Sequence, residues 1–143
     1  MFKLTERISS FLYNWQVDAT EDNFVNVFGH EGNGLEFCLF FLLGVSIAFA
    51  LIFYFVMAKN VRNATPKNYL LMMLMGYIVL VATNYLGFAT IYGNEVLSSP
   101  NLVMISVVDL LYYVILFEVW SWTFKGMSNA SNICLISILF NKK

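Results

Sequence analysis

Charge is scarce in this chain: acids and bases together make up 12% of its 143 residues. An ordinary soluble domain carries about 25%, so that class is excluded. Histidine and cysteine are scarcer still, at one and two copies. With His30 alone and only Cys38 and Cys134, there is no zinc-type cluster and no disulfide framework. Both prolines, Pro66 and Pro100, fall outside the long apolar runs, and no internal repeat is visible. The broken helices and inverted repeats of a secondary transporter are therefore missing. No nucleophile–base motif and no glycine-rich phosphate loop occur, which argues against an enzyme and against any cofactor. A net charge of −1 leaves nothing basic enough for nucleic acid.

What the sequence has instead is three long apolar stretches, Phe37–Ala58, Tyr69–Tyr92 and Leu102–Phe124, of 22 to 24 residues each. At ~1.5 Å rise per residue, each is long enough to cross a hydrocarbon core of ~30 Å. The expected fold is an all-α membrane protein with three transmembrane helices. An N-terminal amphipathic interfacial helix precedes them and a short apolar segment follows. The expected organisation is an extracytoplasmic part over 1–36, a transmembrane domain over 37–124 and a cytoplasmic tail over 125–143.

Orientation follows from the basic residues. Lys59, Arg62 and Lys67 lie in the first short loop without an acid, and Lys125, Lys142 and Lys143 follow the third stretch. The second loop carries only Glu95, and the first 36 residues hold six acids against Lys3 and Arg7. The positive-inside bias then puts the N-terminus out and the C-terminus in. Met1–Trp15 lacks the continuous apolar region of a cleavable signal, so the first span acts as its own insertion signal. Richness in Asn, Ile, Phe and Tyr fits an AT-rich coding sequence and hence a bacterial inner membrane.

Leu4, Ile8, Phe11, Leu12 and Trp15 recur at helical spacing, with Lys3, Glu6, Arg7, Ser10 and Asn14 on the other side. This predicts a helix lying on the outer surface or packed on its own bundle; a lid over an opening between helices is the sharper alternative. Residues 18–36 form an acidic, glycine-punctuated segment that would attract cations to a mouth. Its oxygen spacing is a poor match to a calcium loop, and His30 reads as a loop residue. Ile133–Phe140, a largely apolar segment of eight residues, is too short to span. It is expected to lie at the inner interface, dip in and return, or dock on a neighbour.

Depth singles out the candidate site. Ser46, Thr83, Asn84 and Asp109 fall at one level, slightly outside the middle of their stretches, and suggest a hydrogen-bonded polar layer. A charged Asp there costs on the order of 2.5–3.5 kcal/mol, and no Lys or Arg shares that depth. A partner, water or a proton has to compensate. Glu118 follows Asp109 by nine residues, which turns it ~180° away and places it ~13 Å further along. Beside Trp120, Trp122 and Lys125 it reads as a secondary, interfacial acid reaching headgroup water. Gly44 with Ala48, and Thr83 with Gly87, are small-residue pairs that allow close helix packing. Met72, Met73 and Met75 read as apolar filler.

Two functions fit. The first is a homo-oligomeric pore for cations, since three helices enclose no water path alone; a membrane-depolarising effector is one concrete form. The second is a non-enzymatic anchor or assembly subunit in which Asp109 and Asn84 meet another membrane protein. The lipid bilayer is a partner in both, and neither uses a metal.

Overall fold

A computed structural model describes residues 2–13, 34–93, 97, 100–128, 130 and 132–140. Trp15, His30 and the acidic segment up to residue 33 lie outside the described residues. Every regular element among those described is helical: α1 (Phe2–Tyr13), α2 (Gly34–Leu51), α3 (Pro66–Tyr92), α4 (Pro100–Phe124) and α5 (Leu135–Phe140). With their flanking turns, three helices are long and apolar enough to cross a membrane: Gly34–Met57, Pro66–Ile91 and Pro100–Met127.

The helix ends are set by local chemistry. Pro66, expected inside the first turn, is instead the first residue of α3, where its missing N–H is no loss and its φ is already helical. The Thr65 hydroxyl caps this end by accepting the Asn68 N–H at 3.2 Å. Gly93, at φ 87°, closes the other end in the left-handed conformation that glycine adopts without penalty. α2 passes into a π-helical turn over Ile52–Met57, sealed by the Ala58 N–H donating to the Phe53 carbonyl at 2.8 Å. The wider turn brings consecutive aromatics, Phe53 and Tyr54, to the buried side together.

The chain packs as two units, one from Met1–Leu42 with Leu80–Leu110 and one from Leu43–Val79 with Leu111–Lys143. The core of the first includes Leu39, Leu42, Phe88, Leu102 and Ile105. In it, Gly87 faces the ring of Phe37, which meets Phe88 edge-on at 5.8 Å. The second unit is built on aromatics. Phe53 meets Tyr69 edge-on at 5.2 Å, and Tyr69 meets Phe117 at 5.3 Å, geometries that add to simple burial.

The small residues differ in their surroundings. A Cβ at Gly44 would have nothing within 4 Å, and Gly44 and Ala48 are both exposed on α2. The close approach in the second unit occurs at Gly76, where the Tyr113 hydroxyl and the Phe49 ring press on the α3 backbone. Gly76→Ala is expected to destabilise by about 1–3 kcal/mol through overpacking. Thermal unfolding of the variant in detergent, beside Gly44→Ala as the near-neutral control, measures this.

Candidate functional site: the buried Asp109 cluster

Asp109 is fully buried on α4 in the first unit. Its carboxylate is held from two sides by neutral donors. The Tyr13 hydroxyl, at the end of α1, donates to Oδ1 at 2.5 Å. The Asn84 amide, from the middle of α3, donates to Oδ2 at 2.8 Å. Hydrogen bonds to an ionised acceptor are about twice as strong as neutral ones, so both contacts work against the desolvation that burial imposes. The other Asn84 atom, Oδ1, is buried without a hydrogen-bond partner, leaving a spare acceptor beside the carboxylate.

α1 reaches this site by a face that its apolar spacing does not reveal. Thr5, Ser9 and Tyr13 stand one turn apart in succession. The Thr5 hydroxyl donates to Glu36 Oε1 at 3.0 Å, in the first turn of α2. Ser9 is 1% exposed and Tyr13 0%. The apolar residues point away: Leu4 is 64% exposed, Ile8 42% and Phe11 82%. The buried side of α1 is thus a hydroxyl stripe, and the apolar stripe faces outward. Packing of that apolar stripe on the bundle, one of the expected arrangements, would bury Leu4, Ile8 and Phe11, and all three are exposed. The readable signal was the i, i+4, i+8 run of hydroxyl residues ending in a tyrosine.

Of the residues expected at one polar level, the structure joins Asn84 and Asp109. Thr83, half-buried, donates its hydroxyl to the Leu80 carbonyl at 2.9 Å, within its own helix. Ser46 belongs to the second unit. Its hydroxyl donates to the Leu43 carbonyl at 3.0 Å and accepts the Trp120 indole N–H at 3.1 Å. Shared depth does not fix the angle around a helix, and angle decides who bonds whom.

Glu118, expected to reach headgroup water, is half-buried and is engaged by four protein donors in the second unit. Oε2 accepts the Tyr69 hydroxyl at 2.8 Å and the Leu135 N–H at 2.8 Å. Oε1 accepts the Trp122 indole at 2.9 Å and the Ile136 N–H at 3.3 Å. Two of these donors are the first amides of α5, which its own helix leaves unpaired. The carboxylate therefore docks the short apolar segment on α4. Tyr54 adds a second tie, donating to the Ile133 carbonyl at 2.5 Å, and the Tyr69 hydroxyl lies 3.0 Å from Ser121 Oγ. Lys125, two turns beyond Glu118, rests over the Trp122 ring at 4.8 Å. A largely apolar groove of about 560 Å³ opens between α4 and α5, walled by Ile115, Val119, Trp122 and Ile136.

Glu118→Ala is expected to free α5. Leaving two helix-end amides and a tyrosine hydroxyl without their acceptor costs about 1–3 kcal/mol locally. Hydrogen exchange at Leu135 and Ile136 then accelerates while the amides around Asp109 keep their protection.

Cys38 and Cys134 are both free thiols, buried in different units. Among the described residues, no three His, Cys, Asp or Glu side chains gather in a way that would hold a metal. No protein-family model matches the chain, and neither a characterised protein nor a solved structure matches it.

Proposed function

We propose that this chain is an integral membrane protein, N-terminus out and C-terminus in, whose copies assemble around a cation path controlled by Asp109. The placement rests on three apolar helices, whose Leu74, Ile78, Leu86, Val107, Leu111 and Ile115 are more than half exposed. It rests also on the exposed basic turn with Lys59 and Arg62. A bacterial inner membrane suits this composition. The single observation that carries the functional reading is the fully buried Asp109 carboxylate, met by a tyrosine and an amide. A carboxylate at that depth is expensive, and in membrane proteins such acids mark ion or proton pathways.

In this reading the docked α1 corresponds to a closed arrangement, with Tyr13 stoppering the acid. Gly44 and Ala48, exposed on α2, supply a small-residue face for contact between copies. The deciding experiment is cation flux into liposomes. Asp109→Asn is expected to change conductance or selectivity, and Glu118→Gln, which alters a docking tie, to do less. Unchanged flux in the Asp109 variant excludes it as the controlling acid.

The second reading, an assembly subunit of a larger membrane complex, is favoured by the α4–α5 groove, a ready-made seat for another apolar segment. It predicts co-purification of a second membrane protein and no flux. A homomeric species of defined stoichiometry in detergent argues against it.

A further inference from the structure

We infer that α1 is a half-inserted helix: it enters the outer part of the bilayer with its Tyr13 end leading, and its Leu4–Ile8–Phe11 stripe contacts lipid acyl chains. The inference rests on the membrane placement proposed above and adds an element to it that the length and composition of α1 do not suggest.

Two contacts fix the tilt of α1 against its own unit. Thr5 is tied to Glu36, two residues into α2. Tyr13 is tied to Asp109, nine residues into α4, and to the level of Asn84, eight residues from the end of α3. Nine residues of helix amount to ~13 Å, and the eight residues from Thr5 to Tyr13 to ~12 Å. α1 therefore descends alongside the helices by nearly the full Asp109 depth and does not lie across their ends. Setting the inner boundary at Trp122 and counting back about 20 residues of span puts the outer boundary near Leu102. Tyr13 then lies ~10 Å inside it.

The residue order along α1 agrees. Its charges, Lys3, Glu6 and Arg7, all lie in the first half, and the segment from Ile8 to Tyr13 has none. Arg7 is exposed and close enough to the Thr5 level to extend to the headgroups. Phe11, at 82% exposed, lies two residues from Tyr13. A large aromatic face at that depth suits the acyl chains, which accept apolar surface without any polar partner. Polar groups turned to the bundle and apolar groups turned to lipid is the arrangement an inserted helix requires.

The test uses nitroxide-labelled single cysteines, introduced as Phe11→Cys on α1 and Leu86→Cys on α3, in phosphatidylcholine–phosphatidylglycerol vesicles. The unmodified chain, whose own thiols are buried, gives the background. Relaxation by oxygen, which concentrates in lipid, is compared with relaxation by a water-soluble nickel chelate. Both labels are expected to be oxygen-rich and to lose nickel access. A lipid-like Leu86 label beside a nickel-accessible Phe11 label overturns the insertion of α1 and leaves the membrane placement standing. Nickel access at both positions overturns the placement itself, and the inference with it.

Discussion

Asp109→Ala is expected to be among the most damaging single substitutions in the chain, while Asp109→Asn folds nearly as well as the parent. The difference is an argument about partners. Alanine removes the acceptor from two buried donors, the Tyr13 hydroxyl and the Asn84 amide. Each stranded group costs about 1–3 kcal/mol, so a loss of roughly 2–6 kcal/mol is expected before any cavity is counted. Asparagine keeps an oxygen for Tyr13. Its own amide N–H₂ then meets Asn84, which turns its side-chain amide over and presents the oxygen that has no partner in the parent. The exchange is isosteric and restores a complementary pair. Unfolding of both variants in detergent micelles gives the comparison. Equal destabilisation would show that charge, and not hydrogen-bond complementarity, holds the site. The same Asn variant serves the flux measurement because its fold is expected to survive.

The three long apolar helices were legible in the sequence because a continuous apolar run of that length has few other uses. Their starts moved outward by two or three residues, to Gly34, Pro66 and Pro100, because first-turn residues such as proline are chosen for backbone reasons and not for apolarity. Asn84 and Asp109 were legible through depth along helices of fixed rise. Depth says nothing of rotation, so it did not foretell that Ser46 accepts the Trp120 indole or that Thr83 donates to a carbonyl of its own helix. The partners of Glu118 were not legible for a different reason: Leu135 and Ile136 donate through main-chain amides, and no side-chain pattern announces that. Tyr13 was hidden by hydrophobic periodicity itself. In water the apolar stripe of a helix turns inward, whereas beside lipid it turns outward and the hydroxyl stripe packs. The apolar spacing of α1 singles out Leu4, Ile8 and Phe11, and all three are exposed while Ser9 and Tyr13 are buried.

Tyr13→Phe is expected to loosen α1 without disturbing the three long helices. The ring of Tyr13 is fully buried, and phenylalanine preserves its packing, so the change isolates one hydroxyl. That hydroxyl donates to a carboxylate, and such bonds contribute about 1.5–3 kcal/mol. Its removal shifts the docking equilibrium of α1 by roughly tenfold to a hundredfold, since each 1.4 kcal/mol is a factor of ten. The readout is hydrogen exchange across Thr5–Tyr13, which accelerates by that factor, against α3 and α4 amides that stay protected. Ser9→Ala, which trims a buried hydroxyl on the same stripe, serves as the control for a general loss of packing. Flux separates the two functional readings in the same samples. If α1 stoppers Asp109, cation flux through Tyr13→Phe vesicles rises in step with exchange. If the chain is an assembly subunit, α1 loosens and no flux appears. Unaltered exchange in the phenylalanine variant would mean that Thr5–Glu36 and apolar contact hold α1 alone, and Tyr13 would lose its place as the latch.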